Sequence, residues 1–319
     1  MSSYRRVTAL SCVLMLFGAV QAGEISGFVD TVEIDGQLLS VYTTGAPTVV
    51  SSACDYTWWY GCSPTSVGMI IGHYDREGYG SDPATRWYPD LVPGGTAELE
   101  TFVGPPTGWN ALASSAIASQ EHVDDFYSAG YDKKNDDVSG PFHDFNCLAD
   151  FMGTSQDSTG NNNGSTSFYY FTNGAPFTAA DAYAYGVWDE DGMYGVGEYI
   201  THSGYGYLTL YSQYIYGYKG NTLGFTLSQY QAEIDAGRPV IIQVEQHSMC
   251  GVGYEPGTDT IYVLDTWSAG PHAMIWGGSY SGLDQYGVMV LELSGGVPEP
   301  SVLVLLGLGA LLATRRRRR

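Results

Sequence analysis

A cysteine at the start of a strongly apolar helix pattern is the feature that most constrains how this chain can fold. After Cys62, the apolar positions are spaced by three and four residues: Val67, Ile70, Ile71 and Tyr74. This spacing predicts a helix with one packed face that continues to about Arg76. Ser63 suits the N-cap, and Pro64 suits the first helical position, where its missing N–H is no loss. The thiol is therefore expected just before a helix that packs against the rest of the domain.

The position of Cys62 is compatible with two roles. A thiol at a helix N-terminus faces unpaired backbone N–H groups and the positive end of the helix dipole, which lower its pKa and favour the thiolate. A cysteine in apolar surroundings is also a common small buried residue without chemistry. The helix sequence alone does not decide between these roles, so the decision depends on partners elsewhere in the chain.

Both ends of the chain have the features of export signals. Residues 1–22 combine two arginines with an apolar run and end on a small-residue site, which predicts a secretory signal peptide. Residues 297–319 contain the motif Pro298-Glu299-Pro300, then an apolar run, then five arginines. That run, 302–313, is shorter than the ~20 residues that a stable membrane-spanning helix needs. The domain to be explained therefore covers residues 23–296.

The order of motif, apolar run and basic block at 297–319 resembles the PEP-CTERM sorting signal. The resemblance implies a Gram-negative exporter and a tail that associates transiently with the membrane before an exosortase recognises and cleaves it. It also implies a location in the periplasm, on the outer cell surface or in the extracellular matrix, with exopolysaccharide as a candidate partner. A plain C-terminal anchor is the alternative.

The balance of charge restricts the partners of the domain. Seven of the 13 basic residues lie in the two end segments, so the domain between them has a net charge of about −27. Such a surface repels nucleic acid and anionic lipid. The acidic clusters 189–192 and 132–137 are weak candidates for Ca²⁺, because neither has the twelve-residue ligand spacing of an EF-hand. We therefore expect no nucleic-acid partner, no cofactor and solvated loops at both clusters.

A strand-rich region near the C-terminus places a histidine and an aspartate at strand ends. The predicted strands are 238–247, 248–254 and 260–264. The first ends on His247, and Asp265 follows the third. If the last two strands form a hairpin about Pro256, His247 and Asp265 lie directly opposite each other. Opposed side chains on one face are about 5 Å apart, so the fold would pair imidazole and carboxylate.

This pairing would complete a nucleophile–histidine–aspartate relay. Asp265 would fix the tautomer, His247 would hold the proton and Cys62 would attack. His73 lies about 16 Å from the thiol along the predicted helix and cannot reach it. His272 is the reserve candidate for the base. The alternative for His247 is a core histidine that is hydrogen-bonded to the backbone.

The residues around these positions resemble the papain-like cysteine peptidases of the bacteriocin-processing, double-glycine-leader type. The matching motifs are Tyr60–Thr65, His247–Tyr254 and Tyr262–Trp267, within the stretches 54–76 and 226–280. The resemblance implies an α+β papain-like fold, with the nucleophile helix packed on an antiparallel sheet. It assigns Cys62 as nucleophile, His247 as general base and Asp265 as the orienting acid.

Two departures from the family pattern affect the expected activity. Members usually carry a glutamine a few residues before the cysteine for the oxyanion hole, and none occurs at 54–61. The Tyr56 hydroxyl is a tentative replacement, with the Cys62 N–H as the second donor. The stretch between Cys62 and His247 is also much longer than in compact members, which predicts an insertion at about 80–222.

Three functions remain open for the domain. The first is a secreted cysteine peptidase that acts on another exported protein. The second keeps the fold but is a surface or matrix binding protein with little catalysis, favoured by the missing glutamine and the tyrosine-rich middle. The third is another acyl-transfer enzyme, such as an amidase or transglutaminase.

Among the remaining thiols, Cys250 is expected to be buried and inert, and Cys54 and Cys147 are the candidate pair for a single disulfide.

Overall fold

The computed structural model describes a defined part of the chain, which falls into two compact units, Met1–Thr43 and Thr44–Arg319. The described residues are 29–34, 37–42, 47–50, 53–76, 88, 91–93, 116–119, 146–156, 160–161 and 163–294. In the first unit, β1 (Val29–Ile34) and β2 (Gln37–Tyr42) form an antiparallel pair. The predicted export segments 1–22 and 297–319 lie outside the described residues.

The second unit is built on a nine-stranded antiparallel sheet. Its strands are β3 (Thr48–Val49), β4 (Phe177–Thr178), β5 (Tyr207–Tyr214), β6 (Val240–Val244), β7 (His247–Tyr254), β8 (Thr260–Leu264), β9 (His272–Ile275), β10 (Ser279–Tyr280) and β11 (Leu283–Leu293). The main path runs β4-β5-β11-β6-β7-β8-β9, while β10 pairs with β11 and β3 with β7. The segment 80–222, predicted as an insertion, contributes β4 and β5 to this sheet.

Five α-helices of the described residues accompany the sheet. They are α1 (Cys62–Arg76), α2 (Leu148–Phe151), α3 (Ala179–Tyr185), α4 (Gly192–His202) and α5 (Leu227–Asp235), with a 3₁₀ turn at Tyr218–Gly220. Thr178 caps α3 and Thr226 caps α5, each accepting a backbone N–H from the third helical residue. Helices together with a large antiparallel sheet make this an α+β protein, as the sequence predicts.

The sheet separates two hydrophobic clusters, one on each face. The cluster around α1 includes Ile241 and Cys250, and the cluster around α5 includes Ile242 and Met249. Neighbouring residues of β6 and β7 thus enter different clusters, because side chains alternate across a strand. The prediction that Cys250 is buried is confirmed, since none of its surface is exposed.

Helix α1 is buried on more than the predicted face. The expected apolar stripe is buried, but so are Ser63, Thr65 and Ser66 between its members. Residues 116–118, 147–149 and 152 belong to the same cluster and cover further parts of the helix. Gly68 permits this approach, because a Cβ there would lie 2.8 Å from the Ile117 side chain. The helix is therefore a central element enclosed by the sheet and by these later segments of the chain.

Candidate active site

Helix α1 begins at Cys62 itself, one residue earlier than the predicted N-cap at Ser63. The side chain of Thr65 fixes this start: its Oγ1 accepts the N–H of Trp59 at 3.0 Å and donates to the carbonyl of Gly61 at 2.6 Å. Tyr60 has a φ of 60°, a left-handed conformation that is unusual for a bulky residue. The chain thus makes a tight, strained turn directly before the cysteine.

Gly61 allows a second chain segment to support this turn. A Cβ on Gly61 would lie 2.7 Å from the carbonyl oxygen of Gly164, and one on Gly164 would lie 2.7 Å from that of Tyr60. The two backbones are therefore packed directly against each other. This contact holds the residue before Cys62 in place without any side chain between the segments.

The Cys62 thiol is half-buried and its polar neighbours are serines. Burial raises its pKa, and hydrogen bonding from Ser248 and Ser63 opposes that rise without overcoming it. The prediction of a lowered thiol pKa is therefore wrong for this structure. The helix N-terminus does not compensate for the loss of water around the sulfur.

His247 begins β7, rather than ending the preceding strand as predicted, because β6 stops at Val244 and a turn intervenes. Its Nε2 lies 2.8 Å from the backbone oxygen of Asp265. A carbonyl only accepts, so Nε2 carries the proton and Nδ1 is the basic nitrogen. The indole of Trp267 stacks on the imidazole with ring centroids 4.0 Å apart. Burial lowers the pKa of His247, although its contacts with Asp265 act in the opposite direction.

The predicted register of the hairpin between β7 and β8 is wrong. The structure pairs Cys250 with Leu264 and Tyr254 with Ile261, with an irregularity between Gly251 and Gly253. The turn therefore lies further along the chain than a turn centred on Pro256. Continued from the Cys250 pair, this register places residue 267 opposite residue 247, which agrees with the stacked indole.

The Asp265 carboxylate organises its own loop instead of holding the imidazole. Its Oδ1 accepts the backbone N–H groups of Trp267 and Ser268 at 2.9 Å each, and its Oδ2 accepts the hydroxyl of Tyr280 at 2.7 Å. Burial alone would raise the pKa of this carboxyl. The three hydrogen bonds, together with His272 at 3.9 Å, bring it below the usual value. The orienting contact to His247 comes from the main chain of Asp265.

The contacts of the remaining predicted site residues differ from those of a nucleophile–histidine relay. Within the described chain, the Cys62 sulfur and the His247 ring are not hydrogen-bonded to each other. Tyr56 is buried in the segment before α1. This segment lies along the loop after β8, where the Trp58 N–H bonds to the Thr266 oxygen at 2.5 Å. Nε2 of His272 is hydrogen-bonded to the Ser268 hydroxyl at 3.0 Å.

Two residues beneath the first turn of α1, Ser248 and Gln243, were missed by the sequence analysis. Ser248 contacts the first turn of α1 twice, through its hydroxyl to Ser63 at 2.8 Å and through its carbonyl to the Ser66 hydroxyl at 3.0 Å. Its hydroxyl also donates to the side chain of Gln243 at 2.7 Å. A buried polar pair in otherwise apolar strands was the available signal, since the sequence around Gln243 reads Val-Ile-Ile-Gln-Val.

Neither a disulfide nor a metal cluster is found among the residues that the structure describes. None of Cys54, Cys62, Cys147 and Cys250 is in a disulfide, so the candidate bridge from Cys54 to Cys147 is not formed. No group of three or more histidine, cysteine or carboxylate side chains in the described chain is arranged to hold a metal ion.

A helix that opens on a cysteine and packs on an antiparallel sheet, with a histidine at the start of the adjoining strand, is the arrangement of the papain-like class. The model of the Peptidase_C39-like family matches residues 47–277, and the chain belongs to that family. No curated protein and no solved structure matches the chain.

The C-terminal segment matches a second model, the PEP-CTERM protein-sorting motif, over residues 296–319. This motif marks an exported protein that is sorted to the surface and implies processing by an exosortase. Among the described residues, the structure contains no helix with the length and apolar character to cross a membrane.

Proposed function

We propose that the protein is an exported cysteine peptidase that hydrolyses peptide bonds of another protein at the cell surface or in the surrounding matrix. The observation that carries the proposal is the position of nucleophile and base at one strand end. The Cys62 sulfur lies within hydrogen-bonding reach of Ser248, and Ser248 directly follows His247. The family match supports peptide-bond chemistry, and the sorting motif supports the location.

In the proposed reaction, His247 acts as a neutral general base. Its Nδ1 removes the thiol proton while the Cys62 sulfur bonds to the substrate carbonyl carbon, and the proton then passes to the leaving amine. Water hydrolyses the resulting thioester with the same nitrogen as base. The N–H of Cys62 and the Tyr56 hydroxyl are the proposed donors to the oxyanion. The lowered pKa of His247 suits this route, because the ring stays neutral at neutral pH.

The test is digestion of unfolded protein and of mixed peptides by the purified full-length chain, with products identified by mass spectrometry. Cys62→Ser is expected to abolish cleavage, and His247→Ala to reduce it by at least about a hundredfold. Cys54→Ser is the matched control, because Cys54 is another cysteine of the same domain that is not in a disulfide. Cleavage that survives Cys62→Ser would exclude the proposed nucleophile.

A binding protein with the same fold is the second candidate, and one observation favours it. The Cys62 thiol is kept protonated by burial and has no hydrogen bond to His247 within the described chain. A depression of about 480 Å³, lined in part by Tyr211, Tyr216 and Leu223, offers a surface for peptide or exopolysaccharide. Absence of turnover together with saturable binding would support this candidate.

Turnover of amides or amine acceptors without peptide cleavage would instead identify the third candidate, an amidase or transglutaminase.

A further inference from the structure

A short chain of polar groups lies beneath the first turn of α1. The Ser63 and Ser248 hydroxyl oxygens are 2.8 Å apart, and the Ser248 hydroxyl donates to Oε1 of Gln243 at 2.7 Å. Gln243 and Ser248 are directly opposed in the ladder between β6 and β7. Their exposed fractions are 4 % for Ser63, 2 % for Ser248 and 1 % for Gln243. The network is therefore closed to bulk water at its Gln243 end.

The other end of the Gln243 amide has no partner. Its Nε2 is buried and makes no hydrogen bond with any residue that the structure describes. A buried N–H group without an acceptor is costly, and native proteins rarely retain one without a reason. An amide kept in this state, two hydrogen bonds away from the Cys62 sulfur, points to a second state in which its N–H group is used.

The proton of the Ser248 hydroxyl decides what the network can do for the sulfur. That hydroxyl has a single proton, and in the observed state it is directed to Oε1 of Gln243. It therefore has no proton to give to a thiolate at Cys62, although it lies within hydrogen-bonding reach of the sulfur. A rotation of the Gln243 amide by about 180° would place Nε2 where Oε1 now lies. The amide N–H would then donate to the Ser248 hydroxyl oxygen. The proton of that hydroxyl could then point towards the sulfur and donate a hydrogen bond to it.

We propose that Gln243 is a positioning residue whose amide reverses the hydrogen bond between Gln243 and Ser248, so that the Ser248 hydroxyl accepts a hydrogen bond from Gln243 and donates one to the Cys62 thiolate. This inference rests on the proposed role of Cys62 as nucleophile. The reversal needs no change of volume, since the last torsion of a glutamine is broad and roughly two-fold. Nε2 gains an acceptor in the thiolate state, which accounts for its being unpartnered in the thiol state.

The charged and titratable groups that face the sulfur do not replace this network. His247 on β7 has a lowered pKa because of burial and is neutral at neutral pH. Tyr286 on β11 interacts electrostatically with Cys62, and burial raises its pKa, so it is also neutral. Tyr170, which packs against Tyr286, has its pKa raised by burial in the same way. Stabilisation of a thiolate here therefore depends on hydroxyl and amide dipoles.

The experiment measures the pH dependence of iodoacetamide labelling at Cys62 in the full-length chain, with the labelled residue assigned by peptide mapping. Gln243→Met is expected to raise the labelling pKa by about one unit, which corresponds to about tenfold slower labelling below that pKa. Ser248→Ala is expected to raise it at least as much. The double variant should show no further rise, since Gln243 acts through Ser248.

Gln213→Met is the matched control for a general effect on the fold. Gln213 is also a buried glutamine of the sheet with one unpartnered amide atom, and its Nε2 donates to Gly174. Its substitution should leave the labelling pKa unchanged. An unchanged pKa in Gln243→Met, or additive shifts in the double variant, would overturn the inference.

A measurement on the unsubstituted protein covers the case in which Gln243→Met does not fold. The side-chain Nε2 resonance of Gln243 should shift as pH rises through the labelling pKa of Cys62, and should not do so in Cys62→Ser. A resonance that does not shift as the Cys62 thiol ionises would overturn the inference. Neither experiment uses a substrate, so a failure of the proposed peptidase activity and a failure of the Gln243 role are distinguished.

Discussion

At the scale of single residues, the roles of His247 and Asp265 follow from which atom makes which contact. The imidazole is oriented by a main-chain oxygen, whereas the carboxylate binds two backbone N–H groups and a tyrosine hydroxyl. A substitution of the Asp265 side chain therefore leaves the orienting oxygen in place. This differs from a relay in which the carboxylate itself holds the base.

Asp265→Asn should consequently reduce turnover by less than about tenfold, while His247→Ala should reduce it by two or more orders of magnitude. The asparagine oxygen can still accept the two backbone N–H groups. The measurement is kcat/KM of both variants for one peptide substrate. A loss in Asp265→Asn as large as that in His247→Ala would show that the carboxylate orients the base in the working enzyme.

The stacked indole should control the pH range of activity. Trp267 covers the His247 ring, and burial is the main cause of the lowered pKa of His247. Activity should therefore persist below pH ~6.5, the ordinary value for histidine. Trp267→Ala exposes the ring and should move the acidic limb of the kcat/KM profile to higher pH. Trp188→Ala, which removes an indole that packs on Tyr194, is the control and should leave the limb in place.

The positions of Cys62, His247 and Asp265 at the ends of a helix or strand were predictable, because these elements are strongly patterned in the sequence. Their mutual contacts were not. A hairpin register depends on the turn and on bulges, and the irregularity at Gly251 has no clear signal in the sequence. The thiol pKa was not predictable either, because it depends on how deeply the rest of the chain buries the first turn of α1.

At the scale of elements, the turn before α1 depends on two backbones in direct contact. Gly61→Ala would place a Cβ 2.7 Å from the carbonyl oxygen of Gly164, so one of the two segments must move. We expect the free energy of unfolding to fall by roughly 1–3 kcal/mol. Urea denaturation measures this, with Gly257→Ala as a control at a glycine whose Cβ would meet nothing within 4 Å.

That control also has a positive φ, so it includes the cost of a left-handed alanine. Gly61 has no positive φ, so this cost is absent from Gly61→Ala and the difference between the two variants is a lower bound on the cost of the contact. An unchanged free energy of unfolding in Gly61→Ala would mean that the chain near Gly164 moves aside without cost. The pH dependence of iodoacetamide labelling at Cys62 should change in Gly61→Ala and should stay the same in Gly257→Ala.

The N-cap of α4 should make stability depend on pH. Asp191 is 2 % exposed, and burial raises its pKa to about 7, while its Oδ1 accepts the N–H of Met193. The folded state therefore holds its proton more tightly than the unfolded chain, whose aspartate pKa is about 3.9. Between about pH 4 and pH 7 the folded state binds more protons, so the free energy of unfolding falls as the pH rises and levels off above pH ~7.

Asp191→Asn keeps the acceptor of the cap and removes the titration. The fall in stability from pH 5 to pH 8 should be smaller in this variant than in the unsubstituted protein, by roughly 2–4 kcal/mol. Urea denaturation of both proteins at the two pH values measures the difference. Parallel pH profiles would show that Asp191 titrates normally in the folded state.

At the scale of the whole molecule, the ends of the chain determine where the domain works. The sorting motif at 296–319 directly follows the last strand. With cleavage at both predicted sites, the mature protein should run from about Gly23 to near Val297. Intact-mass analysis of protein from the native host measures this, and retention of the arginines at 315–319 would contradict cleavage of the tail.

The α+β class and the nucleophile helix were predictable at this scale because amphipathic periodicity and strand patterning are local properties. The order of strands was not, because β11 pairs with β5 and β6, which precede it by many residues. Sequence periodicity carries no information about such long-range neighbours. The family resemblance supplied the general arrangement of helix and sheet that the patterns alone left open.

The position of β11 has a consequence for how the protein matures. This strand is the last of the sheet to be synthesised, yet it lies between β5 and β6 and joins the two halves. Until residues 283–293 have left the ribosome, β5 and β6 each lack the neighbour that satisfies their backbone groups. The complete sheet can therefore close only after the residues that directly precede the sorting segment have been synthesised.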